Sequence, residues 1–118
     1  MKLEFKAKSV SYEEAIGGDI IQVSFEENPD DDPINPRSKC LSFSINHEFP
    51  PCKLMFEWCD GSTSYGHAKA IKYTISNSEL NLWLEDDVTI NVKFSTELET
   101  YNRIAYLLNN ELGDPTNA

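Results

Sequence analysis

Ile71-Lys72-Tyr73-Thr74-Ile75-Ser76-Asn77-Ser78-Glu79-Leu80-Asn81-Leu82-Trp83-Leu84-Glu85-Asp86-Asp87-Val88-Thr89-Ile90-Asn91-Val92-Lys93-Phe94 is the stretch that decides the fold. Apolar residues recur at every second position in three runs: Ile71, Tyr73, Ile75, then Leu80, Leu82, Leu84, then Val88, Ile90, Val92, Phe94. A period of two places each set on one face of a half-buried strand. The links, Asn77-Ser78 and Glu85-Asp86-Asp87, are too short for a parallel crossover, so the three strands form an antiparallel meander. Trp83 has the opposite phase to its leucine neighbours, which turns it outward or under the C-terminal helix. An exposed tryptophan often anchors a protein interface.

Moving toward the N-terminus, the same period appears in Leu3, Phe5, Ala7, in Ile21, Val23, Phe25, in Leu41, Phe43, Ile45, and in Leu54, Phe56, Trp58. About seven strands are predicted in all. Gly17-Gly18 and Asp60-Gly61 supply turn chemistry, and residues 11–16 read as a short helical turn. Toward the C-terminus the period lengthens, and Leu98, Tyr101, Ala105, Leu108 and Leu112 mark one face of a helix. Thr96 and Glu99 have capping-box spacing, while Gly113 and Pro115 supply the stop. A helix of roughly sixteen residues spans about 24 Å. The fold expected is α+β, mainly β: one domain over residues 1–118, an antiparallel sheet of about seven strands with a C-terminal amphipathic helix packed on it. Residues 26–37, with three prolines and five acids, fit neither period and read as a loop.

Twenty acidic against ten basic residues give a formal charge of −10, which repels nucleic-acid backbones and anionic membrane surfaces. The alternation at the N-terminus does not read as a targeting segment, and no long apolar run predicts a membrane span. Three cysteines, Cys40, Cys52 and Cys59, are an odd number without paired spacing. A reducing compartment, the cytoplasm, is expected.

Chemistry-bearing constellations are sparse. His47 and His67 are the two imidazoles, and neither sits in a recognisable catalytic motif. Cys59, Asp60, Ser62, Ser64 and His67 cluster in sequence, but Gly61 and Gly66 among them read as turns. Cys52, Cys59, His47 and His67 lack the paired spacing of structural zinc, and the acidic loop lacks a calcium-loop pattern. No catalytic residue, metal or cofactor is expected, and Cys40 and Cys59 read as small core residues on strands. Glu26, Glu27, Asp30, Asp31 and Asp32 have two readings: a solvated, solubilising connection, or a negative patch that steers a basic partner. Trp58 and Tyr65 are either core or interface aromatics.

The runs Val23-Ser24-Phe25-Glu26-Glu27-Asn28-Pro29-Asp30-Asp31-Asp32-Pro33, Phe56-Glu57-Trp58-Cys59-Asp60, Ser64-Tyr65-Gly66 and Ala70-Ile71-Lys72-Tyr73-Thr74-Ile75-Ser76 resemble the bacterial "immunity protein ten" family. The likeness extends over about residues 18–108. It departs after Tyr65-Gly66, where His67 stands in place of a second glycine. The resemblance implies a cytoplasmic antidote that binds and neutralises a cognate toxin domain, with no enzymatic activity. The expected partner is a basic toxin domain, and the expected contact residues are Glu26, Glu27, Asp30, Asp31, Asp32, Trp58, Asp60 and Tyr65. The alternative function is a small-molecule-binding or regulatory β-domain with Trp58, Tyr65 and Trp83 around a pocket.

Overall fold

The computed structural model describes residues 1–30, 34, 37–50 and 52–114, and only the backbone of His67. The strands are β1 (Lys2–Lys6), β2 (Ser9–Ala15), β3 (Ile20–Glu26), β4 (Lys39–Asn46), β5 (Met55–Asp60), β6 (Ser64–Ala68), β7 (Ala70–Ile75), β8 (Glu79–Leu84) and β9 (Val88–Lys93). They form a four-stranded sheet in the order β1-β9-β8-β7 and a five-stranded sheet in the order β2-β3-β4-β5-β6. The meander β7-β8-β9 is antiparallel as its short links require. The protein is therefore mainly β with a C-terminal helix, α1 (Leu98–Leu112).

The strand layout differs from the sequence reading in three details. Nine strands are present among the described residues where about seven were expected, and they divide between two sheets. Residues 11–16 are not a helical turn: β2 runs to Ala15, and a single 3₁₀ turn, Ile16–Gly18, follows. β2 is an edge strand whose residues are half-buried or exposed, so it carries no clean alternation. Finally, the pairing is not wholly antiparallel, because β1 adds to the free edge of β9 in parallel, Leu3 opposite Ile90 and Phe5 opposite Val92.

One core lies between the sheets. Leu3 and Phe5 of β1, Tyr73 of β7, Leu80, Leu82 and Leu84 of β8, and Ile90 and Val92 of β9 meet Val23, Phe25, Leu41, Phe43, Ile45, Phe56 and Trp58. Phe25 meets Phe94 edge-on with ring centroids 5.2 Å apart, a direct bridge between the layers. Each large apolar side chain fully buried here contributes about 1.5–3 kcal/mol. Ile71 departs from its expected inward place. The β7–β8 register slips between Ala70 and Lys72, and Ile71, the extra residue, is left 69% exposed.

The chain passes between layers at two corners. The amide of Ala7 donates to Lys93 O at 2.8 Å, while that of Lys8 donates to Glu26 O at 2.8 Å, so adjacent residues bond to opposite sheets. At the second corner Lys69 accepts from the Glu85 amide at 3.1 Å and donates its own amide to Glu85 Oε1 at 2.9 Å. Strands that change sheets at such corners are a feature of orthogonally packed layers.

Helix α1 touches the edge strands β2 and β7. Its buried residues are Ile104, Leu107 and Leu108, with Tyr101 and Leu112 at the margins. Leu98, expected on the buried face, is 70% exposed because the chain has not yet reached the core at the helix's first residue. The expected capping box does not form: the N-cap is Glu97, with no side-chain cap bond. At the other end Gly113, at φ 88°, donates to Asn109 O, and its carbonyl accepts from the Tyr73 hydroxyl at 2.8 Å. That bond fastens the helix C-terminus to β7.

Candidate partner-binding site

Antiparallel register brings the end of β3, the start of β4, the end of β5 and the start of β6 to one end of the five-stranded sheet. Glu26 stands opposite Cys40, Lys39 opposite Asp60, and Cys59 opposite Ser64. The segment following Glu27 leaves and returns at this end. Glu27 closes its root: its amide donates to Lys39 O at 3.0 Å, and its Oε1 accepts from the Lys39 amide at 3.0 Å. Lys39 then extends across the layers to Glu4 O, 3.0 Å from its Nζ. Asn28 Oδ1 accepts from the Asp30 amide at 3.1 Å, an Asx turn that begins the excursion, and Asp30 is exposed. Asp31 and Asp32 lie outside the described residues.

Beside this root is the turn between β5 and β6. Asp60 Oδ1 accepts from the Ser62 amide at 2.9 Å, the Thr63 amide at 2.8 Å and the Ser62 hydroxyl at 3.0 Å. Oδ2 accepts from the Tyr65 hydroxyl at 3.3 Å. These donors, led by the two backbone amides, favour the charged form and lower the carboxyl pKa to about 2. Gly61 makes the turn possible at φ 100°, a conformation that strains a side-chain-bearing residue. A Cβ there would also lie 3.6 Å from Arg37 O, which places the returning segment against the turn.

Trp58 and Tyr65 are register partners and stack, with centroids 5.6 Å apart and planes at 15°. Trp58 is only 5% exposed, and its indole Nε1 has no acceptor among the described residues. Tyr65, on the edge strand, is 38% exposed. Trp58 therefore supports Tyr65 from below, and Tyr65 presents the aromatic surface. Both line a cleft of about 400 Å³ with Met1, Gly66, Glu85 and Asp86. The sequence marks Glu85 and Asp86 only as turn residues; nothing in the local pattern shows that the turn faces Tyr65 across the layers.

The other expected constellations are not assembled. Trp83 stands on the outer face of the four-stranded sheet, with Lys72 Nζ 4.7 Å from its ring centroid, and it lines a different cleft from Trp58 and Tyr65. Cys59 is a neighbour of Asp60 in sequence but points to the opposite side of the sheet from Trp58. The Ser62 hydroxyl is engaged within the turn. The described residues contain no group of three His, Cys, Asp or Glu placed to hold a metal ion.

Comparison with protein-family models, with curated proteins and with solved structures returns no match.

Proposed function

We propose that this chain is a non-enzymatic binding protein of the antidote type, which holds a basic toxin domain at the Glu26–Asp60–Tyr65 end of its five-stranded sheet. The observation that carries this reading is the convergence of two elements on one sheet end: the root of the acidic segment and the Asp60 turn with its Tyr65 platform. Charge and an aromatic anchor play different parts in association. Carboxylates on a surface raise the encounter rate with a cationic partner, and a rigid aromatic side chain slows dissociation. Asp60 remains charged at any physiological pH, and its carboxylate holds Tyr65 in place.

The small-molecule alternative groups Trp83 with Trp58 and Tyr65, but among the described residues Trp83 lines a different cleft. Co-purification with the C-terminal domain of a large secreted protein encoded beside this chain tests the proposal. A stable complex is expected, with Tyr65→Ala raising the dissociation rate at least tenfold, or about 1.4 kcal/mol. A complex whose dissociation is unchanged by Tyr65→Ala would place the interface elsewhere.

A further inference from the structure

The antiparallel register of β4 and β5 puts Cys40 directly opposite Cys59, between the Lys39–Asp60 and Leu41–Trp58 pairs. Leu41 and Trp58 point into the core, so the neighbouring cysteine pair lies together on the outer side of the sheet. Neither is in a disulfide; Cys59 is 2% exposed and Cys40 is half-buried. Cys52 is apart from them, in the connection between the two strands, where its thiol donates to Phe49 O at 3.3 Å.

Directly opposed residues of an antiparallel ladder have Cα atoms about 4.5 or 5.5 Å apart and Cβ atoms about 4.5–5.5 Å apart. A disulfide accepts Cα separations of about 4.4–6.8 Å and prefers Cβ atoms about 3.8 Å apart. The backbone spacing already fits, and closing the bond asks the side chains to approach by about 1 Å.

We propose that Cys40 and Cys59 form an oxidation site that closes reversibly to a cross-strand disulfide on reaction with a low-molecular-weight disulfide such as glutathione disulfide. The thiolate of Cys40, the more accessible of the two, attacks one sulfur of the oxidant and displaces one glutathione thiolate. The Cys59 thiolate then attacks Cys40 Sγ and expels the second glutathione. One disulfide is consumed and one is made; two electrons pass to glutathione, and the two cysteine protons end on the released thiolates. The new bond joins the residue after Lys39 to the residue before Asp60. It thus staples the root of the acidic segment to the Asp60 turn. This site is independent of the partner-binding reading and stands whether or not a toxin domain is bound there.

The test equilibrates the full chain with glutathione buffers of increasing oxidised fraction, traps free thiols by alkylation, and maps the peptides by mass. Two thiols should disappear together, yielding one linked peptide that contains Cys40 and Cys59, and dithiothreitol should restore both. The Cys52→Ser variant, altered at an exposed position, should close as wild type does. A bridge that includes Cys52, a glutathione adduct on Cys40 that persists without closing, or three thiols retained through the most oxidising buffer would each overturn the proposal.

Discussion

Leu108 is fully buried and belongs to a three-residue patch, with Ile104 and Leu107, through which the helix meets the core. Leu108→Ala removes that volume from a closely packed site and should destabilise the protein by about 2–5 kcal/mol in chemical denaturation. A midpoint equal to wild type would show that the helix does not pack through this face. Leu108 was legible from helical spacing alone, but Leu98 was not, because periodicity gives a direction around the axis and no information on where along it the core begins. Asp60 offers a second check at this scale. Its carboxyl is lowered from 3.8 to about 2 by the amides of Thr63 and Ser62, so its linked stability is fully present above pH 3.8 and is lost as pH falls toward about 2. An NMR titration of the Asp60 carboxyl carbon should show its midpoint well below that of ordinary aspartates. A midpoint near 3.8 would mean that the turn amides do not hold the charge. The importance of Asp60 was half visible in sequence: Asp-Gly announces a turn, but the Tyr65 hydroxyl reaches the carboxylate only once β5 and β6 pair.

At the scale of elements, alternation located seven strands and missed two of the four that lie at a sheet edge, β2 and β6. Edge strands bury less, so their sequences need not alternate, and Ser9–Ala15 carries no strongly apolar face. Bulges defeat the same signal, as at Ile71, since one extra residue reverses the phase. The helix start shows a different limit. Thr96 and Glu99 have the spacing of a reciprocal cap, but helical geometry begins one residue later than that motif requires, with Glu97 at the N-cap and its side chain making no cap bond. Thr96→Ala should therefore leave the thermal midpoint unchanged within error. Glu97→Ser, by contrast, would give the N-cap a short oxygen-bearing side chain able to reach the free amides and should stabilise by about 0.5–1 kcal/mol. A marked loss of stability in Thr96→Ala would show that the capping box operates in solution.

The arrangement of the whole molecule was the least legible level, because a period of two says which side of a strand is buried and nothing of which sheet buries it. Two corners, at Ala7-Lys8 and at Lys69, divide the strands between layers, and their residues carry no turn signal of the glycine or proline kind. That division also segregates charge in a way the total of −10 conceals. The outer face of the four-stranded sheet carries Lys2, Lys6, Lys72 and Lys93 against Glu4 and Glu79, whereas Glu13, Glu26 and Glu57 stand on the outer face of the five-stranded sheet. If the acidic segment steers a basic partner, its charges act locally, and ionic strength decides how local. Salt screens over about 8 Å at 0.15 M and about 30 Å at 0.01 M; the molecule measures 34 × 31 × 31 Å. Converting Asp30, Asp31 and Asp32 together to asparagine should slow association with the toxin domain several-fold at 0.15 M salt and leave dissociation nearly unchanged. Lys2→Gln with Lys72→Gln lowers the net charge by two, opposite in sign to the aspartate substitutions, on the outer face of the four-stranded sheet at the end away from the Ala7-Lys8 corner. At 0.15 M that pair should alter the association rate by less than about twofold, since the screening length is a fraction of the molecular thickness. At 0.01 M the screening length reaches across the molecule, so the same pair should accelerate association as the whole protein becomes more negative. Stopped-flow rates at the two salt concentrations separate local from global steering, and an on-rate unaffected by the aspartate substitutions at both would reduce the acidic segment to a solubilising connection.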